Sequence, residues 1–403
     1  MKHPIAFSPP DIGEQEIAAV TEVIRSGWIT TGPKTKEFER RLSEYCGTAH
    51  TACLGSATAA LELTLRLLGI GPGDEVITSA YTYTASASVI CHVGATPILV
   101  DTAPGSYEMD LEQIKTAITP HTKAIIPVDI AGIMCDYDGI LGISRETAGQ
   151  FSPSQNPIQR ALGRIAVIAD AAHSIGAYRG GKRSGQAADF SCFSFHAVKN
   201  LTTGEGGAAT WNSIPGVPDE EIYRQYMLLS LHGQSKDALE KARGGSWEYD
   251  ILSPAYKCNM TDIQAAIGLV QLSRYPALLQ RRKKLFSIYQ QELAGAPISL
   301  LPHVGDGYCS SHHLCLTNLM GLREKQRNEV IRRMAEQGIA VNVHYKPLPL
   351  LTAYRNLGFC IQDYPNAMKQ YQTELTLPLH TLLSDEDVQE LSQVLKDILY
   401  NIK

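Results

Sequence analysis

The sequence has no long hydrophobic run and no excess of basic charge. Nowhere does it contain the roughly 20 consecutive apolar residues that a membrane-spanning helix needs, and its start, Met1 to Ile5, lacks the apolar stretch of a signal peptide. The formal net charge is -5, which gives no broad basic face for nucleic acid or an anionic membrane. We therefore expect a cytoplasmic protein that binds neither nucleic acid nor membranes.

Two common chemical motifs are also missing. The nine cysteines are scattered, and none of them form a Cys-x-x-Cys pair, which argues against a disulfide framework and against a structural metal site. The only early glycine cluster, Gly69 to Gly73, precedes a strand-like run. A dinucleotide-binding glycine motif would open a helix instead, so this cluster is better read as a turn than as part of a Rossmann dehydrogenase.

What the sequence does contain is an alternation of helix-like and strand-like segments along 403 residues. Apolar residues recur at helical spacing in three early segments, and short apolar runs follow between helical stretches. Such runs are typical of buried parallel strands in an α/β sheet. The predicted helices cover 14–26, 34–45 and 56–68, and the predicted strands cover 75–78, 97–100, 124–128 and 165–169.

The second half predicts a different organisation. The segment 144–159 is rich in Ser, Gln, Asn and Pro and suggests a surface insertion. A strand at 189–195 could pair with one at 206–211. A long helix over 261–291 is followed by two amphipathic helices, 324–337 and 385–399, the latter with Ser384 as a cap. We predict a large domain over 1–272 and a small domain over 273–403.

One pair of residues carries a chemical signal. The apolar run that begins at Ile165 ends in Asp170, and Lys199 follows in a stretch rich in small and polar residues. Ligands of open α/β sheets bind at the carboxyl ends of the strands. A lysine amine that bonds to an aldehyde, with a carboxylate that keeps a pyridine nitrogen protonated, is the pair that pyridoxal phosphate (PLP) chemistry needs. Either residue alone is more often a turn or surface residue.

The surroundings of this pair carry a family resemblance. The stretch from Phe193 to Gly207, Phe-Ser-Phe-His-Ala-Val-Lys-Asn-Leu-Thr-Thr-Gly-Glu-Gly-Gly, resembles the PLP-lysine motif of the DegT family of nucleotide-sugar aminotransferases. Further matches to that family occur in order along the chain, at 26–33, 73–78, 94–97, 256–266, 343–345 and 377–379.

The resemblance implies a fold and a set of roles. The fold is that of fold type I PLP-dependent transferases, with a large domain built on a mostly parallel sheet flanked by helices and a smaller α+β C-terminal domain. Lys199 is then the Schiff-base lysine and proton shuttle, and Asp170 pairs with the pyridine nitrogen. His173 would hydrogen-bond near the phenolic oxygen of the cofactor, and Tyr83 would stack on its ring.

The phosphate site can be argued from the residues themselves. Ser56, Ala57 and Thr58 open a predicted helix after an apolar segment, and a helix N-terminus with small residues offers free N–H groups and a favourable dipole to an anion. The resemblance adds the hydroxyl of Ser194. It also implies that Asn259 reaches the phosphate of a neighbouring subunit, which makes the protein a homodimer with shared active sites.

The resemblance further implies the reaction. L-glutamate would leave its nitrogen on the cofactor, and a nucleotide-linked keto-sugar would receive it, for surface polysaccharide or glycan synthesis. Ala131-Gly132 and His173 favour a UDP-linked 4-keto-6-deoxy hexose among the members. Pro349, where many members have His, and the segment 144–159 depart from the family pattern and bear on the choice of sugar.

Alternatives stay open at this point. A 3-keto-sugar or keto-cyclitol aminotransferase would share the motifs named above. A PLP-dependent dehydratase would replace the lysine with His, and the chain keeps Lys199. A non-catalytic binding or regulatory protein on the same fold would be expected to lose Lys199 or Asp170, and both are present.

Overall fold

A seven-stranded sheet forms the centre of the N-terminal part of the molecule. The computed structural model describes residues 3–236 and 248–402. The strand order is β1-β9-β8-β5-β4-β2-β3, and only β9 runs antiparallel to its neighbours. The strands are β1 (His50–Leu54), β2 (Glu75–Ser79), β3 (Thr96–Val100), β4 (Thr122–Ile126), β5 (Ala166–Asp170), β8 (Phe190–Ser194) and β9 (Gly207–Trp211).

Helices cover both faces of this sheet. Neighbouring strand residues point to opposite faces, so Val167 joins one hydrophobic cluster and Ile168 joins the other. Both clusters are apolar, which explains the continuous apolar runs in the sequence. The helices of this part are α1 (Glu14–Ser26), α2 (Pro33–Cys46), α3 (Ala57–Leu67), α4 (Ala85–His92), α5 (Leu111–Ala117), α6 (Tyr137–Glu146), α7 (Pro157–Leu162) and α8 (Asp219–Ser230).

The C-terminal part has its own antiparallel sheet and hydrophobic cluster. Strands β10 (Ile298–Leu300), β13 (Cys315–Leu319) and β14 (Glu374–Leu377) pair in that order. The cluster beneath them also contains Ile5. The helices of this part are α9 (Asp262–Glu292), α10 (Glu324–Glu336), α11 (Thr352–Asn356), α12 (Pro365–Thr373) and α13 (Asp385–Tyr400).

Helix α9 is shared between the two parts. It packs against α1 and α2 and also against α13, and it begins in a capping box formed by Thr261 and Gln264. The predicted boundary after residue 272 falls inside this helix, so we propose that α9 links the two domains. A small sheet of β11 (Val304–Gly305), β12 (Tyr308–Cys309), β6 (Tyr178–Arg179) and β7 (Lys182–Arg183) also joins the two parts.

The structure confirms the predicted helices and strands within a few residues at their ends, and it confirms the predicted α/β architecture with a mostly parallel sheet. Ser384 caps α13 as predicted, accepting a hydrogen bond from the Asp387 N–H. Within the part of the chain that the structure describes, no helix is both long enough and apolar enough to span a bilayer.

The prediction of a surface segment over 144–159 is confirmed only for its middle, since residues 148–156 lie between α6 and α7 and are all exposed or half-buried. The segment begins inside α6, where Ser144 is fully buried, and ends inside α7. The side-chain amides of Asn156 and Gln159 donate hydrogen bonds of 2.8 and 2.7 Å to the carbonyls of Leu67 and Leu68 at the end of α3. At this end of the segment, two of the polar residues that suggested a loop thus satisfy free carbonyls at a helix end.

Candidate active site

A cavity of about 500 Å³ lies at the carboxyl ends of the central strands. This is the edge of an α/β sheet where ligands bind, since the helix N-termini and the strand-end side chains meet there. Eight of the nine residues predicted from the sequence line it, namely Ser56, Ala57, Thr58, Tyr83, Asp170, His173, Ser194 and Lys199. The ninth, Asn259, lies outside the cavity walls.

Lys199 lies in the turn after β8, where its backbone N–H donates a hydrogen bond of 2.9 Å to the carbonyl of His196. Burial lowers the pKa of its amine to about 8, and the negative charge of Asp170 partly opposes this effect. Among the described residues its amine has no ion-pair partner. Part of the lysine population is therefore a neutral amine near physiological pH, the form that attacks a carbonyl.

Asp170 is the last residue of β5 and is 5% exposed. Its Oδ2 accepts a hydrogen bond of 2.7 Å from the Ser86 hydroxyl, and its Oδ1 accepts one of 3.2 Å from the Ala172 N–H. Burial raises the pKa of this carboxyl, while the two hydrogen bonds and the charge of Lys199 oppose the rise. A cation bound beside Asp170 would stabilise its ionised form further.

His173 has one ring nitrogen with a partner and one without. Its Nε2 lies 3.2 Å from the Tyr345 hydroxyl, and its buried Nδ1 has no hydrogen-bond partner among the described residues. Burial and the nearby Lys199 hold the pKa of His173 well below its usual value, so the ring is neutral. A buried nitrogen without a partner is costly, and a polar atom of a bound ligand would satisfy it.

The N-terminus of α3 points free N–H groups toward the cavity. Ser56 is the N-cap, and its side chain accepts a hydrogen bond of 3.0 Å from the Ala59 N–H. Ala57 and Thr58, which follow, have no intrahelical acceptor for their N–H groups. A Cβ on Gly207 would lie 2.3 Å from the carbonyl carbon of Ser56, so only glycine lets β9 approach this helix end. The result is a cradle suited to a phosphate.

Tyr83 is 59% exposed at the mouth of the cavity, so it is not a core residue. Its ring centroid lies 5.8 Å from that of Tyr345. Tyr345 and His344 come from the C-terminal part and also line the cavity. Both stand in a quoted family motif, yet the sequence alone assigned them no role.

Two further residues at the site were missed by sequence reasoning. His313 packs its ring against His173 with centroids 4.4 Å apart, and its Nδ1 lies 2.8 Å from Oδ1 of Asn200. Ser86 binds Asp170 from the first turn of α4. Neither residue belongs to a short motif, and each lies far along the chain from the group that it contacts. No local signal could have found them.

Asn259 lies beside the phosphate cradle but is not part of the cavity wall. It forms a bridge with Leu54, and the neighbouring Cys258 carbonyl accepts a hydrogen bond of 2.7 Å from the Gly55 N–H. Its side-chain amide donates 2.5 Å to the Thr31 hydroxyl. Its predicted role in the site of a second subunit stays a prediction.

Comparison with known proteins matches residues 10–396 to the model of the DegT/DnrJ/EryC1/StrS aminotransferase family. The spore coat polysaccharide biosynthesis protein SpsC of Bacillus subtilis is 37% identical, over 98% of this chain and 97% of its own. Spr1654 of Streptococcus pneumoniae, assigned as a sugar aminotransferase, superposes in its PLP-form with a TM-score of 0.96, 54% identity and coverage of 100% of both chains. PseC of Helicobacter pylori, an aminotransferase involved in pseudoaminic acid biosynthesis, superposes with a TM-score of 0.85 and 27% sequence identity, over 99% of this chain and 100% of its own.

Proposed function

Because the chain belongs to the DegT/DnrJ/EryC1/StrS aminotransferase family, we propose that it transfers the amino group of L-glutamate to a nucleotide-linked keto-sugar. Aminotransferase chemistry and dependence on PLP come with that membership. The observation that carries the proposal is the cavity itself, in which the amine of Lys199, the carboxylate of Asp170 and the free N–H groups at the start of α3 face the same space.

These residues fit the cofactor group by group. The N–H groups of Ala57 and Thr58, with the hydroxyl of Ser194, would hold the phosphate. Asp170 would hold the protonated pyridine nitrogen, and the unpartnered Nδ1 of His173 would meet the phenolic oxygen. When bound, PLP supplies an aldehyde that bonds to amines and a ring that withdraws electrons from the neighbouring carbon. Tyr83 would cover one face of that ring.

Lys199 has two tasks in this proposal. As a neutral amine it anchors the cofactor, and once it is displaced it carries a proton to and from the substrate carbon. Both tasks need an amine that loses its proton near neutral pH. The lowering of its pKa to about 8 by burial supplies that property without a neighbouring cation.

For the acceptor we propose a UDP-linked 4-keto-6-deoxy hexose. Supporting it are the Ala131-Gly132 pair and His173. Gly132 leaves no space for a side chain, since a Cβ there would lie 2.0 Å from the hydroxyl oxygen of Ser311. The relative PseC acts in pseudoaminic acid biosynthesis and SpsC in spore coat polysaccharide biosynthesis, which favours a role in surface glycan synthesis, with the reaction in the cytoplasm.

We propose a homodimer as the active form. Several apolar side chains that come shortly before Asn259 in the sequence are exposed, among them Ile251, Leu252 and Tyr256. A second copy of the chain would cover them and bring Asn259 near the phosphate cradle of its partner.

The first test is an absorption spectrum of the PLP-loaded protein before and after L-glutamate. We expect a band of bound PLP that is lost on addition of L-glutamate and restored by a keto-sugar acceptor. Lys199→Ala should show no such change. A spectrum that no amino donor changes would refute the proposal. If only a 3-keto-sugar or a keto-cyclitol restores the band, that compound replaces the 4-keto-sugar as the proposed acceptor.

A further inference from the structure

A buried carboxyl group lies behind the cavity wall and takes no part in the chemistry described so far. Glu374, the first residue of β14, has no exposed surface. Its side chain shares a face of the strand with Thr376, two residues on. The Thr376 hydroxyl lies 2.6 Å from Oε1 of Glu374 and 2.9 Å from Nδ1 of His344. A carboxyl, a hydroxyl and an imidazole thus form a chain that ends at the cavity.

His344 is held firmly at the end of this chain. Its backbone N–H donates a hydrogen bond of 2.8 Å to Oε2 of Glu374, and its carbonyl accepts a hydrogen bond of 3.0 Å from the Tyr81 hydroxyl. The ring of Phe7 stacks on its imidazole with centroids 5.5 Å apart. Backbone hydrogen bonds between Asn342 and Thr376 fix the segment to β14. Because the ring has little freedom to turn, a change in the chain alters its hydrogen position rather than its orientation.

The imidazole of His344 is neutral over the ordinary pH range. Burial and the nearby Lys199 lower its pKa to about 3. A neutral ring carries its hydrogen on one nitrogen only, and a hydroxyl has one hydrogen to donate. Thr376 therefore cannot donate to Glu374 and to His344 at the same time. His344 lines the cavity. With Nδ1 engaged by Thr376, Nε2 is the ring nitrogen left for a ligand, and it has no hydrogen-bond partner among the described residues.

We propose that Glu374 and Thr376 are positioning residues that act through His344 by deciding which of its ring nitrogens carries hydrogen. An ionised Glu374 accepts from Thr376, so Nδ1 donates to Thr376 and Nε2 is a bare acceptor. A protonated Glu374 donates to Thr376, Thr376 donates to Nδ1, and Nε2 carries the hydrogen. One proton is added at Glu374, and the ring keeps one hydrogen throughout, exchanging it through cavity water.

This inference rests on the proposed function, because His344, the residue whose ring hydrogen moves, lines the cavity in which the sugar would react. An acceptor at Nε2 binds only groups that donate, such as a sugar hydroxyl, whereas a donor at the same position binds groups that accept, which include a carbonyl, an anionic oxygen and a hydroxyl oxygen. The relay thereby changes which polar group of a substrate the wall of the cavity prefers.

The change in hydrogen position follows the titration of Glu374. Burial raises the pKa of Glu374 to about 8, although the Arg327 guanidinium and the hydrogen bonds oppose this. The groups that face Glu374 besides Arg327 and His344 are Tyr81, Tyr107, Cys315 and Tyr345. Burial raises the pKa of each of these four above its usual value, so all four are neutral when Glu374 titrates.

Four variants separate the relay from general stability. In Glu374→Gln the amide oxygen must face the His344 N–H, so its NH₂ donates to Thr376 and holds the hydrogen on Nε2 at every pH. Thr376→Val breaks the chain, and Thr376→Ser keeps it. Thr317→Val is the matched control, since this buried hydroxyl on the adjacent strand β13 donates only to the Leu375 carbonyl, over 2.6 Å.

The test is a long-range ¹H–¹⁵N correlation spectrum of PLP-loaded, ¹⁵N-histidine-labelled full chain, with His344 assigned by its absence in His344→Gln. We expect wild type, Thr376→Ser and Thr317→Val to pass from the Nε2–H to the Nδ1–H form as the pH rises through about 8. Glu374→Gln should stay Nε2–H. The same form in wild type and Glu374→Gln at every pH would overturn the inference.

A kinetic readout connects the relay to binding. We expect Glu374→Gln to flatten the pH dependence of the KM for the sugar, and Thr376→Val to raise that KM about threefold to tenfold with a smaller effect on kcat. A KM profile in Glu374→Gln that follows wild type would refute a role in binding. The tautomer spectra need no turnover, so failure of the proposed reaction and failure of the relay are distinguishable.

Discussion

The Ser86 hydroxyl donates a hydrogen bond of 2.7 Å to the Asp170 carboxylate, from the start of α4 to the end of β5. Together with the Ala172 N–H, this bond orients a carboxylate and opposes the rise in its pKa that burial causes. A charge held in this way at a strand end is available to a cationic ring nitrogen.

The first prediction concerns Asp170 and Ser86. Asp170→Asn removes the charge, and we expect kcat for the glutamate half-reaction to fall by at least about 100-fold. Ser86→Ala removes one hydrogen bond and should lower the same kcat by at most about tenfold. Rapid-mixing absorbance of the PLP-loaded variants measures both. If Asp170→Asn stays within tenfold of wild type, the carboxylate does not serve the ring nitrogen.

The second prediction concerns the pH dependence of cofactor capture. Burial lowers the pKa of Lys199 to about 8, so its reactive neutral form increases as the pH rises and levels off above that value. We expect the rate constant for PLP binding to cofactor-free protein to follow the same curve, measured by stopped-flow absorbance. Lys182→Ala, which alters a surface lysine paired with Asp138, is the control. A rate that is flat or falls across this range would contradict the assignment.

The third prediction concerns the close approach of β9 to α3. Gly207→Ala places a Cβ 2.3 Å from the backbone of Ser56, which we expect to displace the helix end and to cost about 1–3 kcal/mol in stability. PLP affinity should fall with it.

Gly142→Ala is the control for this change, since its added Cβ in α6 would have no atom within 4 Å apart from its chain neighbours and the backbone of its own helix. It should stabilise the protein by about 0.5–1 kcal/mol and leave the Kd for PLP unchanged. Thermal unfolding and PLP titration measure both variants. Unchanged PLP binding in Gly207→Ala would show that the helix end does not hold the phosphate.

The fourth prediction concerns sites shared between subunits. Lys199→Ala and Asn259→Ala should each be inactive or nearly so as homodimers. Mixed after dissociation, they form hybrids with one intact site, which at random pairing restores about a quarter of wild-type activity. A mixture of Lys199→Ala with Asp170→Asn is the control. Both residues belong to the site of a single chain, so each site of a hybrid lacks one of them, and we expect no activity. An inactive first mixture would show that Asn259 does not serve the partner subunit.

Much of the fold could be predicted from local patterns of the sequence. The apolar run at Ile165 predicts a strand buried on both faces, and the cap at Ser384 predicts the start of a helix. The cavity residues of the Lys199 motif and of the helix after Gly55 could be predicted for the same reason, because each lies in one continuous stretch of sequence with its own signature.

Contacts between distant segments could not be predicted in this way. Ser86 and His313 act on Asp170 and His173 across the fold, and the Glu374–Thr376–His344 chain exists only once β14 pairs with residue Asn342. The ends of the segment 144–159 were misjudged for a related reason. Asn156 and Gln159 bond to the end of α3, and composition does not tell such residues from those of a loop.

The most direct measurement of the central claim follows nitrogen itself. PLP-loaded protein is incubated with ¹⁵N-labelled L-glutamate and a UDP-4-keto-6-deoxy hexose, and the nucleotide sugar is analysed by mass spectrometry, with Lys199→Ala in parallel. The account predicts an amino sugar that carries ¹⁵N in wild type and none in Lys199→Ala. A wild-type protein that consumes labelled glutamate but leaves every keto-sugar without ¹⁵N would contradict it.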